Sequence, residues 1–330
     1  MAVPETERVT PLDAGALPAM IAAAAERIAP WIRHTPLDPS PYFSEITGAE
    51  VYVKLENLQH TGSFKLRGAC NRLLTLDEAQ RARGIVAASS GNHGAALAYA
   101  MQRLGMHGVI FVPEGTAKPK VDAIRRAGAE LEFFGSDGVE TENHARAFAR
   151  DRGLCYVSPY NDPEVIAGQG TCGREIAEDL PEVDAVFVAV GGGGLISGIA
   201  GWLKAHNPRT QIVSCQPAAS AVMTHSIEAG RILDLPSEPT LSDGTAGGIE
   251  QGAITFELVR ALVDDYVTVS EDEIVTAMRG FIDAHHMLLE GGAGVALAGL
   301  VATGRRHAGQ RVAAVICGGN IGRDTLGRVI

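Results

Sequence analysis

The sequence predicts an α/β protein with two open, twisted, mostly parallel sheets, one in each of two domains. Two observations carry this: short apolar runs alternate with helical patterns in two separate series, and glycine-rich turns stand where a strand passes into a helix. In the first series, residues 85–88, 107–112 and 130–134 read as strands, and residues 95–104, 118–127 and 140–150 as helices. The second begins after Gly170, with strands over residues 185–190, 211–216, 266–269 and 312–317. Ahead of both, residues 17–29 read as a helix, residues 50–55 alternate like a strand, and residues from 75 to about 84 read as another helix. Two such sheets leave a crevice at the carboxyl ends of their strands, so the active site is expected between the domains.

A chain of 330 residues with 46% hydrophobic content can bury two sizeable cores. Its 39 acidic against 28 basic residues give a net charge of −11, which argues against a nucleic-acid partner and leaves any bound anion to be held locally. Cys70, Cys155, Cys172, Cys215 and Cys317 form no C-x-x-C pair, so neither a zinc site nor a disulfide framework is expected, and a reducing cytoplasm fits. Residues 1–10 carry Glu5, Glu7 and Arg8 where a secretory signal needs an apolar stretch, and they read as a frayed leader. Residues 185–203 are uncharged and long enough for a bilayer, but the consecutive glycines near their middle favour strand, turn and helix over a membrane span. No internal repeat is evident.

Three segments carry the chemistry. Lys65, within Thr61-Gly62-Ser63-Phe64-Lys65-Leu66-Arg67-Gly68, sits among small and apolar neighbours, where desolvation lowers an amine's pKa and makes it a nucleophile able to form a Schiff base with an aldehyde cofactor. Gly191, Gly192, Gly193 and Gly194 lie between an apolar strand and a helix that begins near Leu195, so their amides can converge on an anion at the positive end of that helix. Ser89-Ser90-Gly91-Asn92-His93-Gly94 occupies a similar position, where a serine can also simply cap the helix.

In this order the three segments resemble those of the fold-type II pyridoxal-phosphate enzymes, the family of threonine and serine dehydratases and serine racemase, over about Ile28 to Asn320. The resemblance implies the tryptophan synthase β-like fold, with a small domain over residues 84–161 inserted in a large cofactor-binding domain made of residues 1–83 and 162–330. It also implies a homodimer, and no C-terminal regulatory domain is expected. Pyridoxal 5'-phosphate is the implied cofactor, linked to Lys65, walled by Phe64, and held at its phosphate by Gly191 to Gly194 with Leu195. Ser89, Ser90, Gly91, Asn92 and His93 correspond to the loop that grips the substrate α-carboxylate, and Asn92 to the partner of the ring hydroxyl. Ser90 matches the acid-base group that serine racemase places on the face opposite the lysine, whereas His93 reads more simply as a structural histidine.

Two departures matter. Cys317 stands where the family has a serine or threonine hydroxyl against the pyridine nitrogen, and a neutral thiol is a weak partner that leaves this nitrogen unprotonated, a state suited to β-elimination. The family's divalent-cation site draws carboxylates from a run that here reads Gln216-Pro217-Ala218-Ala219-Ser220-Ala221-Val222, so no metal is expected there, with Glu290 the carboxylate left to contribute elsewhere. The segment Ser242-Asp243-Gly244-Thr245-Ala246-Gly247-Gly248 resembles the one beside the cofactor ring. The implied activity is dehydration of an L-β-hydroxy amino acid, threonine or serine, to a 2-oxo acid and ammonia, with Lys65 taking the α-proton. Racemisation is the alternative that Ser90 opens, and 3-hydroxyaspartate dehydration is another, which needs a further cation from among Arg67, Arg174 and His93. A silent module that only binds the cofactor is the reading from a different class, opposed by the presence of both Lys65 and Ser90.

Overall fold

Every residue of the strand Ala185–Ala189 is buried, which is the environment of a central strand covered on both faces of a parallel sheet. The computed structural model describes residues 12–136 and 138–330, and the leader expected over residues 1–10 lies outside them. The strands are β1 (Leu37–Pro39), β2 (Glu50–Lys54), β3 (Ile85–Ala88), β4 (Gly108–Val112), β5 (Glu130–Phe133), β6 (Cys155–Tyr156), β7 (Ala185–Ala189), β8 (Gln211–Pro217), β9 (Asp265–Val269) and β10 (Arg311–Val315). They form one six-stranded sheet in the order β1-β2-β10-β7-β8-β9 and one four-stranded sheet in the order β5-β4-β3-β6. All neighbours are parallel except β1 and β2.

Each strand expected from the sequence is present with ends shifted by at most two residues. The short strands β1 and β6 are additional; β1 ends at Pro39, which an edge strand tolerates because the missing N–H faces outward. The helix expected from residue 75 to about 84 is instead the tail of one helix, Lys65–Thr75, and a separate helix, Glu78–Arg83. Asp77 breaks them apart by accepting from the Gln80 N–H while the Gln80 side chain accepts from the Asp77 N–H, a capping box that restarts the chain.

Three helices lie side by side, the last of them against the larger sheet: Lys65–Thr75, Pro163–Asp179 and Gly194–His206. The middle one packs on both others at backbone contact. A Cβ on Gly168 would lie 2.6 Å from the Arg67 carbonyl oxygen, and one on Gly198 would lie 2.5 Å from the Ile166 carbonyl oxygen. No rotamer change relieves a clash with backbone, so these positions must be glycine for the helices to approach this closely.

The first two of these helices share a buried ionic cluster with Lys54 and Glu56. Arg67 is fully buried and donates through Nε and Nη2 to the Glu56 carboxylate and through Nη1 and Nη2 to that of Glu175, each at 2.7 Å. Lys54 Nζ, also fully buried, lies 2.7 Å from Glu175 and donates to the Thr35 carbonyl at 2.6 Å. Burial alone would raise the Glu175 pKa, but Arg67 and Lys54 outweigh it and hold the group below its ordinary 4.5. The stability this lends is therefore present above about pH 4.5 and is lost as the pH falls through the folded value. Replacing Arg67 with methionine leaves the Glu56 carboxylate without a cation in the interior and Glu175 with Lys54 alone, and we expect it to cost about 3–5 kcal/mol of unfolding free energy. Urea denaturation near neutral pH checks this; a variant unfolding at the wild-type midpoint would show that the cluster contributes nothing.

Candidate active site

The carboxyl ends of β3, β7 and β10 open on one cleft of ≈ 1040 Å³ between the two sheets. Lys65 is the first residue of the helix Lys65–Thr75, and the segment before it is strapped to the chain beyond β10. Ser63 forms a bridge with Gly318, the Phe64 N–H donates to the Cys317 carbonyl at 3.0 Å, and the Gly319 N–H donates to the Gly62 carbonyl at 2.9 Å. From this fixed start Lys65 Nζ donates to the Pro159 carbonyl at 2.8 Å and lies 5.1 Å from the centre of the Phe64 ring. Burial lowers its pKa to about 8, against smaller opposing effects of Cys317 and Glu290.

After β7 the chain turns through Gly191, Gly192 and Gly193 into the helix Gly194–His206. Gly193 takes φ 86°, in the left-handed region, and no side chain caps the helix, so its first N–H groups have no side-chain partner. A Cβ on Gly192 would lie 2.4 Å from the Tyr160 ring, and one on Gly191 would lie 2.9 Å from the Thr245 carbonyl oxygen. The bare loop is thus imposed by its walls, and neither wall was visible in the motif itself. The loop after β3 behaves alike. Ser89 Oγ accepts from the Gly91 N–H at 3.2 Å, which stabilises a turn and does not cap the helix Asn92–Leu104, so simple capping is not what these serines do. Two helix N-termini with positive dipole ends therefore meet the same cleft without side-chain caps.

Asn92 is held from both ends. Its Nδ2 donates to Glu290 Oε1 and Oε2 at 2.8 and 2.9 Å, and its Oδ1 accepts from Asn320 Nδ2 at 2.7 Å. Cys317 Sγ is buried, 3.9 Å from Glu290 Oε1, and burial followed by the Glu290 charge holds its thiol well above the usual pKa, so it is neutral. Burial, with a smaller contribution from Lys65, lowers the His93 pKa to about 3, and its Nε2 lies 3.0 Å from the Val157 carbonyl oxygen, which fixes the neutral tautomer with hydrogen on Nε2.

Phe64, Lys65, Ser89, Ser90, Gly91, Asn92, His93, Gly191, Gly192, Gly193, Gly194, Leu195 and Cys317 all line this cleft. Glu290, Asn320, Tyr160 and Pro159 line it too, and of these the sequence pointed only to Glu290, without a place. The cations considered for a second substrate carboxylate are not available. Arg67 is spent on Glu56 and Glu175, His93 is uncharged, and Arg174 pairs with Glu178 at 2.7 Å and lies over Trp202, away from the cleft lining. Lys120 and Arg126 do line the cleft, Lys120 paired with Asp243 at 3.2 Å. Gln216, in the run without carboxylates, donates to the Val190 carbonyl and accepts from Thr224. Among the described residues no group of His, Cys, Asp or Glu is placed to hold a metal ion, and no helix is long and apolar enough to cross a membrane.

The residues present fit pyridoxal phosphate: a half-buried amine of lowered pKa, an anion cradle from which side chains are excluded, and polar side chains, Asn92 among them, lining the same cleft. The comparisons with known proteins agree. The chain is 42% identical over 299 residues to the L-threonine ammonia-lyase of Thermotoga maritima, covering 91% of this chain and 74% of that protein. It is 37% identical over 305 residues to the beta-hydroxyaspartate dehydratase of Paracoccus denitrificans, covering 92% and 96%. The structure of maize serine racemase superposes with a TM-score of 0.89 at 32% identity, covering 94% of this chain and 95% of that one. The model of the family described as pyridoxal-phosphate dependent enzyme matches residues 28–318, and with these relatives it shows that the chain belongs to that family of enzymes.

Proposed function

We propose that the protein is a dehydratase that converts an L-β-hydroxy amino acid, threonine or serine, to a 2-oxo acid and ammonia. The observation that carries this reading is an amine of pKa about 8 facing a cleft into which two uncapped helix N-termini point from different sheets. When bound, the cofactor supplies an aldehyde carbon that condenses with amines and a ring that withdraws electrons from the substrate α-carbon. The chain's part is to bind, orient and move one proton. Gly191 to Gly194 and Leu195 take the phosphate through backbone N–H groups at the helix start. Phe64 walls the ring, Asn92 meets its hydroxyl, and Cys317 offers its nitrogen a neutral thiol, which supplies no charge there. The substrate carboxylate docks on the amides and hydroxyls of residues 89–93, at the uncapped start of the helix Asn92–Leu104.

With carboxylate and phosphate fixed, the α-carbon is presented to Lys65 Nζ, whose neutral form removes the proton. Ser90 is assigned to the opposite face, where it allows a slower return of the proton with inversion. We read residues 84–161 as a small domain inserted in a larger one, the protein as a homodimer, and the cytoplasm as its compartment, since its five cysteines are free. A substrate without a second charge suits the cleft better than 3-hydroxyaspartate, because the cations that line it besides Lys65 are Lys120, already paired, and the exposed Arg126.

The deciding experiment incubates purified protein with L-threonine, L-serine, D-serine and threo-3-hydroxyaspartate, following 2-oxo acid and substrate enantiomer together. We expect kcat/KM for L-threonine or L-serine to exceed that for 3-hydroxyaspartate by roughly a hundredfold, the scale set by leaving a buried charge without a partner. The reverse order would overturn the substrate assignment. Lys65→Ala should abolish the visible absorbance of bound cofactor and lower turnover by at least about 10²–10⁴-fold. Because only the neutral amine attacks an aldehyde, the rate at which cofactor-free protein regains that absorbance should rise with pH and level off above about 8. A rate still climbing through pH 10 would show an ordinary lysine. Ser90→Ala should retain oxo-acid formation while losing most inversion of free amino acid; equal loss of both would contradict a role on one face.

A further inference from the structure

Glu290 stands apart from the other carboxylates near the cleft. Asp243 and Glu142 pair with Lys120 and Arg146, whereas the hydrogen-bond contacts of Glu290 are to neutral groups, the Asn92 amide, the Cys317 thiol and the Asn320 backbone N–H, with the Lys65 and Lys120 charges acting on it from beyond ion-pair distance. It is 8% exposed, and its backbone N–H donates to the Gly318 carbonyl at 3.0 Å. A Cβ on Gly318 would lie 2.6 Å from Glu290 Oε1, so the bare backbone at residue 318 is what leaves room for the carboxylate. Holding an unpaired carboxyl in such a place is costly, and nothing in the packing of the helix Gly291–Ala302 requires it, since Glu290 makes no side-chain cap.

What the carboxyl does is choose the orientation of a primary amide. The two ends of an asparagine side chain are nearly the same size, and only the hydrogen-bond partners decide which end is donor and which acceptor. Here the carboxylate accepts from Nδ2 through both oxygens, while Asn320 donates to Oδ1. With its ends so assigned, Asn92 keeps one Nδ2 proton in a fixed plane. We propose that Glu290 is a positioning residue for the cofactor ring, acting through Asn92 by holding its amide in the one orientation that presents this proton to the ring hydroxyl.

The proposal rests on the assignment of Asn92 to the ring hydroxyl, and its test reads that contact before any substrate is added. Glu290→Ala, Glu290→Gln, Asn92→Ala and the two double variants are loaded with pyridoxal phosphate, and the ratio of the visible absorption bands is recorded, followed by kcat and KM for L-threonine. Glu290→Ala is expected to change the band ratio and to lower kcat by about 10–10²-fold through misplacement of the ring, with KM held within about threefold. Glu290→Gln, which keeps the shape and one acceptor oxygen, should fall between Glu290→Ala and wild type, and it takes the place of alanine in the comparison if alanine prevents folding. In the Asn92→Ala background either substitution should leave the band ratio unchanged, because residues that act through one contact are not additive. Equal effects in both backgrounds, or none in the wild-type background, would overturn the proposal. A wild-type protein that shows no visible band at all would instead overturn the cofactor contacts from which it starts.

Discussion

The position of Lys65 depends on an arginine two residues further on. Arg67 lies in the first turn of the same helix, and its guanidinium joins that turn to Glu56, which follows β2, and to Glu175 on the helix Pro163–Asp179. A lysine could not replace it, because a point charge cannot meet two carboxylates in bidentate fashion at once. The desolvation of these ions is large, and the cluster persists because Lys54 and Thr35 complete its hydrogen bonds. A helix start tied at this depth cannot fray, and the amine it carries is fixed relative to the larger sheet.

The glycine contacts extend this order to the phosphate cradle. The helix Pro163–Asp179 touches the lysine helix through Gly68 and Gly168 and the cradle helix through Gly170 and Gly198. The spacing of the amine from the anion site is therefore held by backbone contacts among three helices at these glycines, an arrangement that tolerates little variation. In a protein of net charge −11, what this place offers an anion is uncapped amide groups and helix dipoles, with no arginine in the cradle.

The strands were legible because central parallel strands are buried on both faces and read as continuous apolar runs; residues 85–88 and 185–189 are cases in point. The helix Lys65–Thr75 was not, since its buried positions include Arg67 and Asn71, polar residues standing where helical periodicity would require apolar ones. Their partners are remote, and no local pattern announces them. The cleft divides in the same way. Its glycine turns and its lysine are local motifs, whereas Glu290 reaches Asn92 across 198 residues and Tyr160 packs on Gly192 from a remote part of the chain. What packing over distance decides, a motif cannot carry.

Burial sorts the titratable groups of the cleft by sign and by freedom. It drives His93 down to about 3 and the Cys317 thiol well above its ordinary range, so neither changes charge near neutrality. It moves Lys65 down and Glu290 up, bringing an amine and a carboxyl toward neutrality from opposite sides. Geometry then separates the two. Glu290 is engaged through both oxygens by Asn92, while Lys65 holds a single carbonyl acceptor, to which one N–H of the neutral amine can still donate with the lone pair turned to the cleft. With the amine set beside the cleft by its helix start and its pKa brought down to about 8, we assign the proton transfer to Lys65.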